Sequence, residues 1–89
     1  MQNKEIVAGT AEKGDVLLIF FPKKHGKEII LKDIPHPRFH DAICAVVEKE
    51  MTRAGVDDVQ VVVEDRGALD FVLRARLCTV IRRWEAQEQ

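Results

Sequence analysis

The sequence predicts an α+β fold: a two-layer sandwich in which a mixed β-sheet carries two helices on one face, in the order β-β-β-α-β-α. Three observations predict it. The runs VLLIFF and VQVVVE are dense in β-branched and aromatic residues. Two longer stretches, after Pro37 and after Asp65, repeat apolar residues at helical spacing. Prolines and glycines fall mainly between these stretches, where they punctuate elements.

Taken in order, Lys4 to Thr10 reads as a short edge strand. Asp15 to Pro22 is a strand that proline ends. Val16, Leu18 and Phe20 alternate with Leu17, Ile19 and Phe21, so both of its faces are apolar. The KKHGK stretch places Gly26 in a tight turn, and Lys27 to Ile34 returns as the second arm of an antiparallel hairpin. A helix starts just after Pro37, carries Phe39, Ile43, Val46, Val47, Met51 and Ala54 on one side, and closes at Gly55. Val56 to Glu64 is the next strand, set parallel to a neighbour by a right-handed crossover. Asp65 is the expected N-cap of a last helix with the stripe Leu69, Val72, Leu73, Leu77, Val80, Ile81 and Trp84. The tail EAQEQ is expected to fray. The sheet face away from the helices keeps one alternate set from Val16 to Phe21, plus Val62, and is a candidate partner surface.

The length of 89 residues fits one domain, residues 1–89, with one core. A formal net charge of -1 excludes a polybasic footprint for nucleic acid or an anionic membrane. The N-terminus has no long apolar core of a signal peptide, and Val16 to Phe21 is too short to span a bilayer, so a cytoplasmic location is expected. Cys44 and Cys78 lack a paired-ligand spacing and read as buried, reduced thiols.

Catalytic constellations are missing. The chain contains no serine, and neither cysteine sits in an activating motif. His36 and His40 stand four apart, but Pro37 lies between them and no third ligand follows, so no metal is expected; His25 lies in the turn. Glu64-Asp65 is explained by capping. The late arginines, Arg66, Arg74, Arg76, Arg82 and Arg83, read as a solvated helix face or as contacts for phosphates or an acidic partner. Arg74 is spaced to pair with Asp70, and Gly67 leaves backbone N–H groups open to an anion.

Two motifs carry a resemblance. The opening Ala8-Gly9-Thr10-Ala11-Glu12-Lys13-Gly14-Asp15-Val16 and the later Val61 to Leu77, VVVEDRGALDFVLRARL, with RFHDAICAVV between them, resemble the acyl carrier (gamma) subunit of citrate lyase. The resemblance implies a carrier role in the cytoplasm, not catalysis. It implies a 2'-(5''-triphosphoribosyl)-3'-dephospho-CoA prosthetic group, attached by phosphodiester to a serine, that presents acetyl and citryl thioesters. It implies alpha and beta lyase subunits and a prosthetic-group transferase as partners. The position aligned with the attachment serine is Lys13, within the loop Thr10, Glu12, Gly14 and Asp15, and the cysteine expected after ALD is Phe71. Three readings of that replacement stand open: a scaffold subunit without the group, an ion pair between Lys13 and a phosphate of free coenzyme A, or modification at Thr10. A non-catalytic interaction or homodimerisation module with the same fold is the alternative from another class.

Overall fold

The computed structural model describes residues 4–32 and 37–87. Its centre is a four-stranded sheet of order β1-β2-β4-β3, built from β1 (Ile6–Gly9), β2 (Val16–Pro22), β3 (Lys27–Lys32) and β4 (Val59–Asp65). Helix α1 (Pro37–Ala54) links β3 to β4, and α2 (Asp70–Gln87) follows β4. β1 and β4 flank β2 and run antiparallel to it, and β3 runs parallel to β4. The element order and the mixed sheet match the sequence expectation, as does the parallel pairing across α1.

The expected hairpin does not form. β2 and β3 run in opposite directions, but β4 lies between them. The turn before β3 therefore bridges two strand spacings, about 10 Å. It is fastened to the start of β4: Lys23 N–H donates to the Asp58 carbonyl at 3.1 Å, Gly26 N–H to Asp58 Oδ1 at 2.9 Å, and Val59 N–H to the Gly26 carbonyl at 3.1 Å. Gly26 does take the left-handed conformation expected of a turn glycine (φ 82°). The physical reason for the insertion lies in β4 itself. Val59, Val61 and Val63 are fully buried, and a central position with a strand on each side also satisfies the backbone on both of its edges.

One face of the sheet makes the core. Val16, Leu18 and Phe20 of β2 and the three buried valines of β4 meet Ile43, Val47 and Met51 of α1 and Leu73, Leu77, Val80, Ile81 and Trp84 of α2. Phe20 and Trp84 pack edge to face, with ring centroids 5.7 Å apart. Both helices thus cover the same face. On the other face, the strand registers align Val7, Ile19, Val62 and Ile30 in one row across all four strands, flanked by Leu17 and Phe21.

The helix ends explain the loop lengths. α1 closes in a Schellman motif: Gly55 N–H donates to the Thr52 carbonyl and Val56 N–H to the Met51 carbonyl, with Gly55 at φ 70°. Asp65 does not cap α2. It ends β4, and its Oδ1 accepts the Ala68 N–H at 3.0 Å, closing a side-chain turn through Arg66 and Gly67. The helix begins later, where the Leu69 carbonyl accepts from Val72 and Leu73. Leu69 is accordingly exposed rather than part of the apolar stripe, and Phe39 and Ala54 of α1 are exposed as well. The last turn does not fray before Gln87, whose Oε1 accepts the Lys4 N–H at 2.9 Å. Arg83 donates from Nη1 to the Val7 carbonyl of edge strand β1 at 2.7 Å. The end of the expected strand, residues 33 and 34, lies outside the described residues, as do Pro35, His36, Glu88 and Gln89.

Truncating Phe20 removes a fully buried ring and its contact with Trp84. Phe20→Ala is expected to cost about 3–5 kcal/mol. Urea unfolding followed by Trp84 fluorescence checks this: the midpoint should fall with little change in slope.

Candidate functional site

The segment between β1 and β2 is a short, heavily constrained loop. Gly9 takes φ 83°, and a Cβ there would run into the Val16 backbone carbonyl, so the position admits only glycine. Glu12 to Asp15 form a β-turn closed by Asp15 N–H donating to the Glu12 carbonyl at 3.0 Å. Gly14, third in that turn, has φ 85°, the type II arrangement. The same glycine opens a β-bulge. Gly14 N–H donates to the Arg66 carbonyl at 2.7 Å and Arg66 N–H donates to the Asp15 carbonyl at 2.9 Å, so two residues of one strand face one of the other. Lys13 occupies the second position of the turn and is exposed.

The loop is held by one carboxylate. Asp15 Oδ1 accepts the Val16 N–H at 2.7 Å and Arg76 Nε at 3.1 Å; Oδ2 accepts the Thr10 hydroxyl at 2.7 Å and Arg76 Nη2 at 3.1 Å. The Thr10 oxygen also accepts the Glu12 N–H at 3.3 Å. The fork of Arg76 matches the carboxylate with two parallel bonds. The Thr10 hydroxyl, the Val16 N–H and the Arg76 guanidinium together hold the Asp15 carboxyl at about 2, against an ordinary 3.8. Residues far apart in sequence thus meet: the loop before β2 is fastened to the second turn of α2.

The turn through Asp65 and Ala68 that receives this bulge also borders an apolar groove of about 310 Å³. Phe39, Ile43 and Val46 of α1 form one wall, and Ala68, Leu69 and Leu73 the other. Phe39 and Leu69 are 49% and 64% exposed, and Phe71 beyond them is 69% exposed, which leaves aromatic and aliphatic surface uncovered near the loop.

A family model described as malonate decarboxylase delta subunit (MdcD), an acyl carrier protein (ACP) family, matches residues 3–84. The chain is 40% identical over 85 residues to the citrate lyase acyl carrier protein of Cronobacter sakazakii, covering 94% of this chain and 88% of the relative. It is 39% identical over 77 residues to that of Rhodopseudomonas palustris, covering 86% and 79%, and 39% over 80 residues to that of Weissella paramesenteroides, covering 90% and 82%. The chain belongs to this acyl-carrier family. The names of its relatives support a carrier role.

Within this acyl-carrier family member, the residues singled out in the sequence fall into three groups. Thr10, Glu12, Gly14, Asp15, Arg66 and Arg76 come together in one bonded loop cluster, with Lys13 at its turn. Arg74 lies apart, paired with Asp70 at 2.7 Å and Glu50 at 3.7 Å, where it ties α1 to α2. Gly67 is not at a helix terminus; it turns the chain before α2 at φ 85°. Arg66 also reaches Glu64 at 3.2 Å. Cys78 is exposed, contrary to the buried thiol expected there. Cys44 is half-buried, and burial together with Asp41 and Glu48 pushes its thiol up, the reverse of an activated nucleophile. Among the described residues no cluster of three metal-ligating side chains occurs, and no helix is long and apolar enough to cross a membrane. Sequence reasoning missed the Asp15–Arg76 pair as a unit. It also missed the groove, whose signal was the apolar pair Phe39 and Leu69 at the starts of their segments.

Gly9→Ala is expected to destabilise by more than about 1 kcal/mol, because both the conformation and the space are closed to a methyl group; thermal unfolding measures it. A depressed carboxyl gives stability that is complete above the unfolded value of 3.8 and lost as pH falls toward about 2. Asp15→Asn should therefore lower the urea midpoint at pH 6, and the gap to the unsubstituted chain should narrow between pH 4 and pH 2 (roughly the two pKa values).

Proposed function

We propose that the chain is a cytoplasmic, non-catalytic carrier-type subunit of a citrate-lyase-like complex, one that assembles with alpha- and beta-type subunits and presents its Glu12–Asp15 turn to them. The observation that carries this reading is the bonded turn itself. Three backbone hydrogen bonds, two positive-φ glycines and the Asp15–Arg76 pair hold residue 13 outward, a costly arrangement for a loop with nothing to present. The relatives' name, citrate lyase acyl carrier protein, supports the partners' class, and the exposed side chains of Leu69 and Phe71 support contact with them.

The dephospho-CoA-type group implied by the family does not fit this turn as a phosphodiester. Lys13 offers an ammonium, a donor without the oxygen that such a link requires. Thr10 has the nearest hydroxyl in sequence, but that hydroxyl donates to Asp15 and accepts from Glu12, and linking it would break the bond that helps hold the loop. The reading is accordingly a scaffold subunit: docking kept, family linkage absent. Co-expression with citrate-lyase-type alpha and beta subunits tests it. A stable complex that elutes as one species and retains this chain is expected. A chain that elutes alone or only with itself, in the presence of both subunits, overturns the reading in favour of an interaction or homodimerisation module.

A further inference from the structure

We infer that this chain keeps a complete presentation platform and that residue 13 alone withholds the attachment atom. The inference rests on the carrier reading above and adds a claim about its residues. The groups that set the path of the turn are Gly9, Thr10, Gly14, Asp15 and Arg76, together with the Arg66 backbone. None of these contacts involves the side chain of residue 13. Lys13 lies in the second position of a type II turn, which needs no special side chain, and it is exposed. Its replacement therefore changes the chemistry offered at the apex without changing the backbone that offers it. Phe71, where the family motif expects cysteine, is 69% exposed.

A serine at this apex would supply the missing oxygen. In loading, that oxygen would bond to the innermost phosphorus of the triphosphate of 2'-(5''-triphosphoribosyl)-3'-dephospho-CoA. The bond from that phosphorus to pyrophosphate would break, and the hydroxyl proton would leave to solvent. Lysine has no oxygen for this bond, and Thr10 Oγ1 is held inward by Asp15 at 2.7 Å.

The test is intact-mass analysis with peptide mapping. The full-length chain, its Lys13→Ser variant and the citrate lyase acyl carrier protein of Cronobacter sakazakii as a loading control are each treated with a citrate lyase prosthetic-group transferase and that triphosphoribosyl donor. Lys13→Ser should gain the adduct at residue 13, with circular dichroism and a urea midpoint matching the unsubstituted chain, which should keep its bare mass. Lys13→Ser/Asp15→Asn should load at least tenfold more slowly, because the turn is then released from Arg76. An adduct on the unsubstituted chain, at Lys13 or Thr10, overturns the inference. So does a folded Lys13→Ser variant that stays bare while the control is loaded. Co-elution with the lyase subunits is scored separately. A bare variant that still co-elutes sinks the platform alone, and a loaded variant that elutes without partners sinks the docking reading alone.

Discussion

The Asp15 carboxylate is the point on which the rest of the loop depends. It ties together three segments: the residue after β1 through Thr10, the start of β2 through the Val16 N–H, and the second turn of α2 through Nε and Nη2 of Arg76. A surface ion pair contributes little when both side chains are free to wander. Here the carboxylate is fixed by its own backbone neighbour, and its side chain is only 14% exposed. Forming the Arg76 bonds therefore costs less ordering. The pair fastens the loop to α2, whose place on the sheet is set by its buried residues Leu73, Leu77, Val80, Ile81 and Trp84.

The loop shows how few atoms are needed to hold a tip rigid when glycines are placed well. Gly9 lets the chain pass the Val16 carbonyl, and Gly14 serves both as the third residue of the turn and as the first of the bulge. Because the bulge partner is Arg66, the neighbouring turn through Gly67 is brought beside it. Two loops from opposite ends of the sequence are thereby built as one surface, and the apolar groove opens on the far side of that second turn.

Much of this is legible in the sequence, and the limits have physical causes. Dense runs of β-branched and aromatic residues locate β2 and β4, and helical spacing locates both helices, because each pattern reports a local geometry. Strand pairing is not local. KKHGK has the composition of a hairpin turn, and nothing near it shows that the valines of β4 will take the place between its arms. The start of α2 falls later than Asp65 suggests, because an aspartate that closes a side-chain turn carries the same signal as one that caps a helix. Around the loop, the sequence supplies every member, Thr10, Gly14, Asp15 and Arg76, but not their connection. The link between Asp15 and Arg76 exists only after α2 has packed on β1 and β2.

The bond from Arg83 to the Val7 carbonyl has a consequence for how the molecule behaves before any partner arrives. β1 is an outer strand, and an outer strand normally offers its unpaired backbone to any extended chain that drifts past. At Val7 that offer is already taken: a guanidinium bonded at 2.7 Å must be expelled before a new strand can dock. The same helix that completes the core thus guards the outer strand at Val7. The other outer strand, β3, carries Lys27 and Lys32 on either side of the run Glu28 to Leu31, which puts charge at both of its ends.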